Sequence, residues 1–261
     1  MKLQTCILSL LLAVCGWAYA QVPYTWKTYL SHKSGVGMVS YKNTLYCATK
    51  GGLFTYDLAE NRTETYSTVS GMSDVITTAI AADPAQGRVF VGYENGTIDY
   101  FTDPSQVQTL TDISRNEFFT QKNITAIAVG GTRLYVATGF GVVIFDKKTL
   151  TPIFTVSQIG DAPSKEGVTS VAEFGGRIWL ALGEKGLYSA STTFANLSDP
   201  AAWRTEQKTN GLPQSATYRL LHANGQHIYA VTELATFRRN AASNTWGHWG
   251  TTLRILSPTI I

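Results

Sequence analysis

The chain holds 261 residues, only 15% of them charged against 44% hydrophobic, and its formal net charge of +3 arises from 21 basic and 18 acidic side chains. Disordered chains combine high charge with few aromatics, and coiled coils need many charged helix formers, so 13 Tyr, 11 Phe and 6 Trp exclude both. The basic residues are scattered with no Lys/Arg run, which argues against a nucleic-acid partner.

The first element is residues 1–20. Lys2, an apolar run from Cys6 to Cys15, and Ala18-Tyr19-Ala20 before Gln21 give the order of a secretory signal peptide, cleaved between Ala20 and Gln21. Leu12-Ala13-Val14-Cys15 has the outline of a lipobox, but Val14 stands where a small residue is wanted. The signal run is too short to span a bilayer, and no later segment approaches the roughly 20 apolar residues that a span requires. Cleavage leaves Cys47 as the only cysteine, so the exported chain carries no internal disulfide and must hold by packing alone. In Leu45-Tyr46-Cys47-Ala48 that thiol reads as a buried, inert one.

Next comes Trp26 to Leu30, a lone strand of outer type, and then a repeat. Its core segments run Leu45 to Asp57, Val89 to Tyr100, Leu134 to Asp146, Ile178 to Tyr188 and Ile228 to Phe237, with starts 44, 45, 44 and 50 residues apart. A near-constant period in the forties built of strand patterns is the signature of a β-propeller with four-stranded antiparallel blades. The alternating runs Ile76 to Ala81, Ile124 to Val129, Val168 to Phe174 and Tyr218 to Ala223 are expected as innermost strands. The core segments supply the second and third strands, the latter including Leu53 to Asp57 and Val142 to Asp146. Tight turns between them fall on Gly51, Gly52, Gly96, Gly141 and Gly186, since such hairpins need a positive φ that glycine supplies most cheaply. In the fifth unit Ala235 stands at that place. Outer strands are expected at Thr63 to Thr68, Pro152 to Ser157, Trp203 to Gln207 and Trp246 to Trp249, with Ser70-Gly71-Met72-Ser73 and Asn210-Gly211-Leu212-Pro213 among the connectors. No segment sustains a period of 3.6 residues, so almost no helix is expected.

Thr252 to Leu256 reads as the start of a sixth inner strand. The 241 residues after the signal therefore amount to about five and a half blades, an incomplete ring, as in an N-terminal portion (residues 21–261) of a longer protein.

Chemistry is sparse along this scaffold. His32, His222, His227 and His248 show no HExxH spacing, and no nucleophile elbow, phosphate loop or EF-hand loop is present. No catalytic, cofactor-binding or metal-ligating residue stands out, and no cofactor is implied. Asp57, Asp99 and Asp146 recur in the repeat, which predicts a turn or strand-end role in each blade. Tyr46, Phe90, Tyr135, Trp179 and Tyr229 recur as a ladder, expected to pack between blades. Such a disc binds through its loops, so a binding or scaffolding role is expected over enzymatic activity.

Trp26-Lys27-Thr28-Tyr29-Leu30, Tyr46-Cys47-Ala48-Thr49-Lys50-Gly51-Gly52-Leu53-Phe54-Thr55-Tyr56-Asp57, Ser70-Gly71-Met72-Ser73-Asp74 and Val91-Gly92-Tyr93-Glu94-Asn95-Gly96-Thr97-Ile98-Asp99 together resemble the N-terminal β-propeller domain of the PorZ family of the type IX secretion system. The likeness is closest over residues 24–105 and looser to residue 250. It implies a non-catalytic cell-surface component of an outer-membrane attachment complex, with a sortase, a shuttle and an anchoring protein as partners and lipopolysaccharide as a ligand. In that family two propellers precede a C-terminal domain that targets cargo. Similar blade motifs occur in periplasmic ligand-sensing propellers of hybrid two-component regulators, which is the alternative the resemblance leaves.

Overall fold

A computed structural model describes residues 30–206, 211–213, 215–240 and 244–251. Twenty strands form five four-stranded sheets in which consecutive strands pair antiparallel. Blade one comprises β1 (Gly35–Tyr41), β2 (Thr44–Thr49), β3 (Gly52–Asp57) and β4 (Arg62–Tyr66). Blade two comprises β5 (Thr77–Asp83), β6 (Arg88–Tyr93), β7 (Ile98–Phe101) and β8 (Gln108–Leu110). Blade three comprises β9 (Ile124–Val129), β10 (Arg133–Thr138), β11 (Gly141–Asp146) and β12 (Pro152–Val156). Blade four comprises β13 (Ser170–Phe174), β14 (Arg177–Ala181), β15 (Leu187–Ser191) and β16 (Arg204–Thr205), and blade five β17 (Tyr218–Ala223), β18 (Ile228–Thr232), β19 (Ala235–Asn240) and β20 (Thr245–Thr251). The only helical turns among the described residues are two of 3-10 type, Thr68–Ser70 and Pro200–Ala202.

This is the all-β propeller that the repeat predicts, with local differences that have local causes. Blade one gains the inner strand β1, for which the sequence offers no alternating run. Gly35 and Gly37 dilute its pattern, and its register shifts between them. A Cβ on Gly37 would lie 3.0 Å from the Ile80 side chain of blade two, so the glycine permits close approach of the two inner strands. The outer strand expected to reach Thr68 stops at Tyr66, because the Ser67 hydroxyl accepts from the Val69 N–H and caps a 3-10 turn. In blade four the outer strand is only two residues long. Trp203 turns inward there, its indole N–H donating to the Leu197 carbonyl at 2.8 Å.

The inner strands β1, β5, β9, β13 and β17 pack side by side in series, and among the described residues no comparable contact joins β17 back to β1. Four buried clusters hold the array together, one at each junction between successive blades. The aromatic ladder builds them: Tyr46, Phe90, Tyr135 and Trp179 are buried, with Tyr46 against Phe101 and Trp179 edge-on to Trp246 of the following blades. Two residues further along each second strand stand Ala48, Gly92, Ala137 and Ala181, small because the next blade closes over them. At Gly92 an added Cβ would come within 2.6 Å of the Ile124 side chain. Blade five differs at both positions. Tyr229 is only half-buried and Val231 replaces the small residue, since no following blade covers this face among the described residues. Trp249, 59% exposed, packs edge-on to Tyr229 there, and Met38, 63% exposed, marks the uncovered face of blade one. The signal peptide with Ala20 and Gln21, most of the Trp26 to Leu30 strand, and the sixth inner strand from Thr252 to Leu256 lie outside the described residues.

Burial also sets an alkaline limit. Desolvation pushes the phenols of Tyr188 and Tyr218 up to about 12, and those of Tyr93 and Tyr135 are raised as well. An unfolded chain ionises its tyrosines near 10, so this contribution to stability is whole below pH 10 and is lost as pH rises towards 12. Tyrosinate absorbance and near-UV circular dichroism should therefore change together in that interval. Full ionisation near pH 10 with tertiary structure intact would contradict it.

Candidate functional site

Antiparallel order sends the turns between second and third strands, and the connectors between blades, to one face of the disc. The remaining loops lie on the other. Among the described residues the connector face carries the two most exposed large apolar side chains, Phe118 at 85% and Leu234 at 70%, with Val69 and Ile76 also open to solvent, while Leu58 and Phe194 are exposed on the other face. Monomeric proteins seldom leave such side chains on one face without a use for them. Beside Phe118, the rings of Phe119 and Phe140 stack at 3.8 Å, with the Lys165 ammonium 5.7 Å above the Phe119 ring centroid.

The turn glycines sit on this face at the heads of the blades. Gly52, Gly96, Gly141 and Gly186 have φ of 111°, 84°, 142° and 105°. At Gly141 a Cβ would fall 2.0 Å from the Val156 carbonyl oxygen, so close approach of β12 excludes a side chain as firmly as the dihedral does. Gly51 differs from its neighbours. Its φ is not positive, and what a Cβ there would meet is the Ser31 carbonyl oxygen at 2.2 Å.

Among the described residues, two cavities on the connector face stand out. The larger, about 620 Å³, lies over blade five and is largely apolar, with Leu234, Phe237 and Pro213 in its wall and Glu184 and Glu233 at its edge. Glu233 pairs there with Arg219. The smaller, about 460 Å³, lies where blades one, two and three meet. Both volumes fall in the range of ordinary small-ligand sites.

Between the inner strands runs a series of side-chain bonds that the sequence does not announce. The Thr125 hydroxyl donates to the Val168 carbonyl of the next blade, and the Thr169 hydroxyl donates to the Tyr218 carbonyl at 3.0 Å. The corresponding positions in blades one, two and five are Val36, Thr78 and Arg219. Thr78 keeps the hydroxyl, but its Oγ1 is buried without a hydrogen-bond partner.

The three aspartates do not share one role. Asp57 and Asp146 end β3 and β11, where each Oδ1 accepts two backbone N–H groups of the following turn, from Ala59 and Glu60 and from Lys148 and Thr149. Those bonds hold both carboxyls below the usual carboxylate range. Asp99 departs from the expected turn role. It pairs with Val91 in mid-strand, the place occupied by Phe54, Val143, Tyr188 and Phe237 in the other blades, and it is fully buried. Its oxygens accept from the Ser73 N–H at 2.7 Å, the Ser73 hydroxyl at 2.5 Å, the Tyr93 phenol at 2.7 Å and the Thr109 hydroxyl at 2.9 Å. Desolvation and then the Asp99 carboxylate raise the Tyr93 phenol, which stays protonated as a donor. Asp99 follows its turn glycine, Gly96, by three residues, where Asp57 and Asp146 follow Gly52 and Gly141 by five, and strand pairing turns that offset into a mid-strand, inward position. With every lone pair direction engaged by the protein, Asp99 is a structural anchor for the connector between blades one and two.

On the opposite face, arginines at the heads of second strands tie blade to blade. The Arg88 guanidinium donates to the Lys147 carbonyl at 3.2 Å and that of Arg133 to the Thr192 carbonyl at 2.9 Å. The Lys147 ammonium stands 3.7 Å from the buried Asp83 carboxylate. His32 hydrogen-bonds the Thr49 hydroxyl at 2.9 Å, His222 lies on β17, His227 falls in the turn before β18, and His248 is exposed on β20. Among the described residues no three His, Cys, Asp or Glu side chains converge as a metal site. Cys47 is half-buried rather than buried, and desolvation pushes its thiol up.

Comparison with known proteins then decides the family. Residues 45–204 match the family described as TSS9, PorZ, N-terminal beta-propeller domain, from β2 of blade one to β16 of blade four. The chain belongs to the PorZ N-terminal β-propeller family. PorZ itself, from Porphyromonas gingivalis and described as an essential bacterial surface component of its type IX secretion system, superposes with a TM-score of 0.71 at 22% identity over 86% of this chain. The extracellular domains of two putative hybrid two-component systems of B. thetaiotaomicron, BT3049 and BT4673, superpose at TM-scores of 0.63 and 0.62, with 19% and 12% identity over 83% and 87% of this chain. This PorZ-type propeller spans 29% of the length of the P. gingivalis PorZ chain, and 30% and 29% of the two extracellular domains. No curated protein matches it in sequence. Blade five lies beyond the matched residues, yet it repeats the PorZ-type blade strand for strand. No helix among the described residues is long and apolar enough to cross a membrane.

Proposed function

We propose that this chain is the N-terminal propeller of an exported, non-catalytic component of type IX secretion, held at the outer-membrane cell surface as a scaffold of the attachment complex. The family match over residues 45–204 carries the reading. The signal sequence of residues 1–20 supports export. The exposed Phe118, Leu234, Val69 and Ile76 on the connector face support docking of proteins over chemistry. Its partners are then the sortase and the other proteins of that complex, with lipopolysaccharide as the anchoring acceptor.

Affinity purification of the full-length protein from envelopes should recover the sortase, and deletion of the gene should leave cargo unprocessed. Phe118→Ala combined with Leu234→Ala should reduce that recovery without changing the melting temperature. Detection in the periplasm alone, with cargo processing intact after deletion, would refute the proposal. A ligand-sensing propeller is the second reading, favoured by the likeness to the extracellular domains of two-component systems. A transmembrane span and kinase encoded in the same gene would decide for it.

A further inference from the structure

The cavity at the meeting of blades one, two and three lies beyond this scaffold role. Lys50 and Glu94 project from the second-to-third-strand turns of adjacent blades, and Asn123 ends the connector into blade three. Val36 and Ile76 give the same cavity an apolar wall. Among the described residues, Lys50 and Glu94 form no ion pair with one another or with any other group, and the Asn123 side chain finds no hydrogen-bond partner. Thr78 also lines the cavity, with its Oγ1 itself buried. The repeat uses this hydroxyl to bond the next blade in blades three and four but leaves it unpartnered here, and a buried polar group without a partner calls for a cause.

The backbones beneath these groups are fixed. The Lys50 N–H donates to the Ser34 carbonyl at 3.0 Å, and the Thr97 N–H to the Asn95 side chain at 2.9 Å within the Glu94 turn. The Gly139 N–H donates to the Asn123 carbonyl at 3.1 Å, and a Cβ on Gly139 would lie 2.4 Å from the Asn123 side-chain oxygen, so the glycine makes room for that amide. An ammonium and a carboxylate on fixed turns of blades one and two, with the Asn123 amide at the start of blade three, complement a ligand that carries both charges in reverse order. At about 460 Å³ the cavity has room for more than a single amino acid. We infer that this cavity binds a short peptide with both termini free, its carboxylate at Lys50, its ammonium at Glu94, and its side chains against Val36 and Ile76. A neutral saccharide would leave both charges without a counterpart.

Titration calorimetry on the full-length protein with tri-alanine tests this, with N-acetylated and C-amidated tri-alanine and maltotriose as comparisons. Tri-alanine should bind saturably, and each cap should weaken it about fivefold, the scale of one solvent-facing ion pair. Glu94→Gln should abolish the penalty for acetylation alone, and Lys50→Met that for amidation alone. Both side chains are exposed, so the variants should melt like the parent, and Lys50→Arg should restore discrimination. The inference falls if tri-alanine gives no saturable binding, if the capped peptides bind equally well, if neither substitution alters the preference, or if maltotriose binds better.

Discussion

Trp179→Ala should destabilise the protein by about 3–5 kcal/mol, the cost of emptying a large buried aromatic site. Trp179 is fully buried in the cluster between blades four and five, edge-on to Trp246 with ring centroids 5.5 Å apart. Its indole N–H donates to the Phe174 carbonyl at 3.1 Å, and the Arg239 guanidinium lies 4.7 Å over the ring. Truncation removes the contacts of both blades at once, and the stacked sheets leave little room for collapse. For a domain of this size the melting temperature should fall by roughly 10 °C. Trp179→Phe should recover part of that loss, because it keeps the aromatic packing while leaving the Phe174 carbonyl without its donor. A loss below about 1 kcal/mol on chemical denaturation of Trp179→Ala would mean that this junction does not hold the blades together.

Asp99→Ala should cost about 2–5 kcal/mol by a different mechanism. The carboxylate is the common acceptor for Tyr93, Ser73 and Thr109, and its removal strands the fully buried Tyr93 phenol and the Ser73 N–H. The connector at Met72 and Ser73 should loosen, with faster amide exchange there. A double-mutant cycle separates this from simple loss of packing. Asp99→Val supplies the aliphatic residue that blade three has at this register, Val143, and Tyr93→Phe removes the principal stranded donor. The pair should be less damaging than the sum of its single changes by about 1 kcal/mol or more. Strict additivity would show that the phenol and carboxylate do not depend on one another.

Much of the fold was legible because a propeller writes itself repeatedly. The period in the forties, the second strands and the inner strands β9 and β17 follow from local alternation and turn residues, which act within a few positions. The strand β1 was hidden because two glycines interrupt its pattern, and one of them, Gly37, does so to admit Ile80. The shortened β16 was hidden because Trp203, an apolar residue that reads as strand, is drawn inward by the Leu197 carbonyl. Asp99 departs for a third reason: it follows its turn glycine by three residues where Asp57 and Asp146 follow theirs by five, so the same residue types recur in each blade without sharing a place on the ladder.

The candidate site was the least legible part. The turns bearing Lys50 and Glu94 are visible in sequence, and so is Asn123, but they stand 44 and 29 residues apart and nothing local links them. The unspent hydroxyl of Thr78 acquires meaning only when Thr125 and Thr169 are seen bonding the neighbouring blade. By itself, then, the sequence determined the all-β architecture, the blade repeat and the family resemblance, since those rest on periodicity and turn chemistry. The tertiary structure alone decided which blade faces are covered, which aspartate is buried, and which side chains meet at the connector face. Those outcomes depend on packing between blades, a contact between residues distant in the chain that no local pattern encodes.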